Sequence, residues 1–161
     1  MSVVAEAWAV LSNVPDPEVP ALSLPDLGVV REVIERERGV EVVLTPTYSG
    51  CPATEAIERS VVQALDDAGL GPVAVSRRLA PPWTTDWISP AGREKLRAYG
   101  IAPPGHLVGG EAPLHFRPRS VHCPRCDSGD TERLSAFGST ACKALYRCRA
   151  CREPFEHFKP I

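Results

Sequence analysis

"VEVVLTPTYSGCPATEAIERSV", residues 40–61, changes its periodicity in the middle. Val40 to Thr45 are dominated by β-branched and apolar residues, the composition of a strand. Beyond Pro52, Ile57, Val61, Leu65 and Ala68 recur at helical spacing and Gly69 supplies a stop. Between strand and helix stands Cys51, far from the other five cysteines, which crowd between Cys123 and Cys151. Proline favours the first helical position, so Pro52 predicts Cys51 as the N-cap. There the orphan N–H groups and the positive end of the helix dipole would favour a thiolate, as in reactive or metal-binding cysteines. Glu55, one turn in, opposes that effect. The competing reading is a small buried residue that fills a gap.

Working outward, "VVREVIERE" (29–37) and the strand at 40–45 flank Gly39 and read as a hairpin. Val4, Trp8 and Leu11 give residues 3–14 the pattern of an amphipathic helix. "PVAVSRRL" (72–79) supplies a third strand. Residues 1–79 are therefore expected to form an α+β domain in the order helix, strand, strand, helix, strand. "DPEVPALSLPDLG" (16–28) reads as a loop and carries Asp16, Glu18 and Asp26. Folded back towards Cys51, these carboxylates would suit a transient iron site. Their ordinary role is to cap turns and helix ends.

Residues 80–118 read as a connecting segment. Ser89 and Pro90 start a short helix that Gly100 stops. Trp83 and Trp87 precede it, either packing the segment onto its own domain or docking a partner. Residues 119–161 contain "CPRC" (123–126) and "CRAC" (148–151), separated by 21 residues. Two such knuckles offer Cys123, Cys126, Cys148 and Cys151 to a tetrahedral ion, with sulfur–metal distances of about 2.3 Å. "TERLSAF", "KALYRC" and "EPFEHF" are candidate strands, which makes the segment a zinc ribbon. Its apolar residues are too few to hold it unaided, so structural zinc would supply most of its folding free energy. Iron in the same cage, as in a rubredoxin-like electron carrier, is the alternative. Cys142 stands outside both knuckles, and His122 and His157 are expected to be surface residues.

Composition narrows the classes. The chain has 161 residues, 43% hydrophobic and 24% charged, enough to bury a core. The longest apolar runs fall well short of a membrane span, and the N-terminus has no basic region that would mark a signal peptide. A reducing cytoplasmic setting is expected, in which paired cysteines bind metal in preference to forming disulfides. Net charge is −6 up to residue 114 and +4 beyond it, a switch that suits two units with different partners. The positive half is too weakly charged to argue for nucleic acid. The chain contains no Glu-x-x-His pair of the di-iron carboxylate type and no G-x-G-x-x-G, so oxygenase, nicotinamide and flavin sites of those types are not indicated.

"DPEVPALSLPDLGVV" and "TPTYSGCPA" resemble the SufT-like and cytosolic iron–sulfur assembly-factor domains, over residues 3–79. Together with "WTTDWISPAGREKLRAYGIAPP" and the cysteine-rich segment, the whole chain resembles the PaaD family of the phenylacetate pathway. That resemblance implies an accessory, non-catalytic protein of phenylacetyl-CoA epoxidase. The expected partners are its di-iron oxygenase and its iron–sulfur flavoprotein reductase. By the same resemblance Cys51 is the reactive or cluster-handling residue, surrounded by Asp16, Glu18, Asp26 and Thr47, with transient iron or an iron–sulfur cluster as cargo. A structural adaptor holding the oxygenase components together is the rival reading.

Overall fold

Strands β1 (Val30–Glu35) and β2 (Val40–Leu44) form the expected antiparallel hairpin. Gly39 turns it with φ of +74°, a conformation that residues with a Cβ avoid. A Cβ there would stand 1.9 Å from the Pro72 carbonyl oxygen, so only glycine fits. The computed structural model describes residues 1–48, 50–106 and 120–161. It divides into two units, Met1–Gly92 and Arg93–Ile161.

In the first unit, helix α1 (Val3–Leu11) precedes the hairpin, and helix α3 (Thr54–Asp67) follows it. Strand β3 (Val73–Arg77) then pairs parallel to β2, giving the order β1-β2-β3. The face of α3 read from the sequence is the buried one: Ile57, Val61 and Leu65 point inwards. Each such side chain contributes about 2 kcal/mol on burial. Helix α1 buries Ala7 and Leu11 in the same core, while Val4 and Trp8 are half-buried.

The loop expected over residues 16–28 contains one further turn of helix, α2 (Leu24–Leu27). Ser23 and Asp26 cap it reciprocally: the Asp26 N–H donates to Ser23 Oγ at 3.3 Å, and Asp26 Oδ2 accepts from the Ser23 N–H. The sequence signal for this cap is serine followed three residues later by an acid.

The tryptophans pack on their own unit. Trp83 is 4% exposed, and its Nε1–H donates to the Leu27 carbonyl at 2.9 Å. The Arg31 guanidinium stacks on the Trp87 ring at 3.6 Å. Helix α4 (Pro90–Tyr99) starts where expected, with the Gly92 N–H donating to Ser89 Oγ at 2.9 Å. The boundary between units falls inside it. The described part of the connecting segment is thus shared: residues 80–92 belong to the first unit and 93–106 to the second.

The second unit has a four-stranded sheet in the order β4-β7-β6-β5. Strands β5 (Thr131–Ser135), β6 (Lys143–Cys148) and β7 (Pro154–Phe158) match the three candidates. The fourth, β4 (Ile101–Ala102), comes from the residues after α4 and pairs parallel to β7. The fold is α+β with a C-terminal zinc ribbon. No helix among the described residues is long and apolar enough to cross a membrane.

Candidate functional site

The two knuckles are built alike. The residue after each second cysteine, Asp127 or Arg152, adopts a left-handed conformation, with φ of 59° and 66°. These turns bring the sulfurs together: Cys123 lies 3.7 Å from Cys151, and Cys126 lies 3.5 Å from Cys148. All four Sγ atoms lie within 4.8 Å of one another. A tetrahedral ion with sulfur–metal bonds of about 2.3 Å needs sulfurs about 3.8 Å apart, so the residues fit a metal.

The thiols are not equivalent. The Cys151 N–H donates to Cys148 Sγ at 3.4 Å and is the main cause drawing the Cys148 thiol down to about 7. The Glu153 N–H pulls Cys151 the same way, but burial and the neighbouring sulfurs outweigh it and push that thiol up to about 12. A bound metal ion would hold all four as thiolates. Beneath the sulfurs, the apolar core is Ala102, Cys123, Cys148 and Phe155, with Val121 and Tyr146 against it.

Among the described residues, these four cysteines are the one group of three or more His, Cys, Asp or Glu whose ligand atoms converge. Cys142 is outside it. It is buried, with its sulfur 3.0 Å from Thr140 Oγ1. His122 is exposed, as expected, but His157 is only 8% exposed, which corrects the surface placement read from the sequence. The local sequence gives only a weak sign of this, the buried Phe155 two residues earlier on the same face of β7.

Cys51 is buried, at 9% exposure, in the turn between β2 and α3. It does not cap the helix. The N-cap is Ala53, with no side-chain cap, and the Cys51 carbonyl accepts from the Thr54 N–H at 3.2 Å in a tighter preceding turn. Pro52 therefore sits ahead of the helix, and the dipole argument for Cys51 loses its geometry. Gly50 enters the turn with φ of +84°. Thr47 is half-buried in the same connection.

The acids have structural partners. Asp16 is 4% exposed, and its Oδ1 accepts from the Glu18 N–H at 2.9 Å and the Val19 N–H at 2.8 Å. That places Asp16 and Glu18 in one tight turn. Asp26 holds the α2 capping box and accepts from Ser89 Oγ at 3.0 Å. The three acids and Cys51 do not form a converging ligand group of the kind the ribbon has.

Fold and site together define an α+β protein of two units, the second a four-cysteine zinc ribbon. Residues 5–76 match the family described as iron–sulfur cluster assembly protein, and residues 111–159 match the PaaD zinc beta ribbon domain. A crystal structure of a domain of unknown function, DUF59, from Bacillus anthracis is similar, with a TM-score of 0.53 and 25% identity. That similarity covers 58% of this chain and 91% of the other. An Escherichia coli (strain K12) protein, named as the D component of a 1,2-phenylacetyl-CoA epoxidase, is 52% identical over 158 residues, 98% of this chain and 93% of that one. The chain belongs to the PaaD family.

Proposed function

We propose that this protein is a cytoplasmic maturation factor for a phenylacetyl-CoA epoxidase, with no oxygenase chemistry of its own. In this reading Cys51 handles iron or an iron–sulfur cluster bound for a partner protein. The partner is the di-iron oxygenase or the iron–sulfur flavoprotein reductase. Thr47 shapes the approach to the thiol, and Asp16 and Glu18 fix the neighbouring loop. Zinc in the four-cysteine site holds the ribbon's fold, and the metal there takes no part in transfer.

One observation carries the reading. An iron–sulfur assembly-type domain and a PaaD ribbon occur in a single chain that aligns almost end to end with a protein named as an epoxidase component. A protein needed only as a structural adaptor would have no use for that first domain's chemistry.

Cys51→Ser separates the two. Cys51 is buried, so a serine hydroxyl in its place costs about 1–3 kcal/mol unless it finds a partner, and a melting curve of the variant separates that loss from a loss of function. A serine hydroxyl has no accessible anion near neutral pH and cannot replace a thiolate as an iron ligand or nucleophile. The variant should be soluble and metal-loaded yet leave the epoxidase inactive in cells, with its partner deficient in iron or cluster. Normal partner metal content together with full activity would refute maturation and favour the adaptor.

A further inference from the structure

Beside its four sulfurs, the second unit has an open cleft of about 810 Å³ that the maturation reading does not use. Its floor is one face of the ribbon sheet. Cross-strand pairing puts Ala102 and Ala144 beside His157, and Arg133 beside Tyr146, on that face. One wall is helix α4 with Arg93, Glu94 and Arg97, and another is the first knuckle, from Val121 to Asp127. The size and the mostly apolar floor are those of a small-molecule site.

His157 indicates what such a molecule must offer. It lines this cavity, its exposure is only 8%, and its ring makes no hydrogen bond with the described residues. No buried side-chain nitrogen or oxygen among the described residues is left unsatisfied, so the His157 ring nitrogens open onto the cavity, where a bound molecule can pair with them. Tyr146 meets the ring edge-on at 5.5 Å and contributes no polar contact there. Burial holds the imidazole neutral, drawn down to about 4, so one nitrogen donates and the other accepts.

The rim is cationic. The lining carries four cations, Arg93, Arg97, Arg133 and Lys159, and two carboxylates, Glu94 and Asp127. Arg97 reaches Asp127 only at 3.8 Å, and His122 approaches the same carboxylate at 3.5 Å. Arg133 has no carboxylate partner among the described residues. It stands next to Tyr146, so an anionic group held there would leave an apolar body lying over the Tyr146 ring and the alanines.

We propose that this cavity binds a small molecule with an apolar body and one carboxylate or phosphate group, received by Arg133 and Arg97 at the rim and His157 at the floor. The site includes neither Cys51 nor a metal-binding sulfur, but it shares its wall with the first knuckle, so the metal must be in place for it to form.

The test uses the full, metal-loaded chain, labelled with nitrogen-15, and three probes: benzoate, phenyl phosphate and neutral benzyl alcohol. Both anions should shift the His157 ring nitrogens and the Tyr146 ring signals along saturable curves, with dissociation constants in the millimolar range usual for fragments of this size. Benzyl alcohol should bind about tenfold more weakly, and Arg133→Ala should weaken the anions about fivefold while leaving benzyl alcohol unchanged. Arg133 is exposed, so that variant should fold. Whichever anion binds more tightly identifies the group the site takes. The proposal is overturned if neither anion saturates, if benzyl alcohol binds equally well, or if Arg133→Ala changes nothing.

Discussion

Cys148→Ser should unfold the ribbon by releasing its metal. Cys148 is fully buried, lies 3.5 Å from Cys126 across the site, and receives the Cys151 N–H. Serine there is shorter and stays protonated, so three thiolates remain. Structural zinc in small domains contributes about 10–16 kcal/mol to folding. A quarter of the lower value is roughly 3 kcal/mol, which lowers metal affinity on the order of a hundredfold. Competition with a chromophoric chelator measures the affinity, and limited proteolysis reads the fold. Residues from Ser120 onwards should become protease-sensitive while the first unit resists. Cys142→Ser is the control, because that sulfur lies outside the converging group and metal should be retained. If Cys148→Ser binds zinc as tightly as the parent and resists protease equally, the four-thiolate reading of this unit is wrong.

Gly39→Ala should destabilise the first unit by about 3 kcal/mol or more, because its Cβ would collide with the Pro72 carbonyl and φ is positive. Chemical denaturation followed by circular dichroism would reveal a far smaller loss if the turn could relax. His157 makes stability depend on pH. Its folded value of about 4 is below the ordinary 6.5, so the unfolded chain binds the extra proton between them. The contribution is complete above about 6.5 and is lost as pH falls towards 4. The shift corresponds to about 3 kcal/mol before solvent screening and on the order of 2 after it. Comparing the parent with His157→Gln at each pH cancels the metal's own pH dependence. Parallel curves for the two proteins would contradict the buried neutral imidazole.

Periodicity made most of the framework legible. Strands with β-branched runs and the 3.6-residue stripe of α3 announce themselves because burial dictates which positions must be apolar. The four metal ligands were equally plain, since two C-x-x-C knuckles have few other uses in a reducing setting. What the sequence obscured was local geometry. Pro52 suits the first helical position, yet it equally suits the turn before the helix, and here the tighter turn from Cys51 to Thr54 prevails. Strand β4 is two residues long, too short for any alternation to register. His157 reads as a surface residue because burial of a polar ring depends on what packs across the sheet from it. That information lies in Ala102 and Ala144, distant in sequence.

The contrast between the two kinds of cysteine site bears on how a maturation factor would work. The ribbon offers four converging sulfurs, the closed ligation that retains an ion through folding and function. Cys51 offers one sulfur, in a turn, and the acids expected to complete it are committed elsewhere: Asp16 to two backbone N–H groups, Asp26 to a capping box and Ser89. One protein thiolate leaves most of a metal's coordination positions open. Cargo held at Cys51 would therefore need ligands from a second molecule, and it would leave with whichever molecule supplied the larger share. Weak, incomplete ligation is a defect in a storage site and a requirement in a transfer site. If the maturation reading holds, the difference between four sulfurs and one would separate, within one chain, a metal that must stay from a cargo that must go.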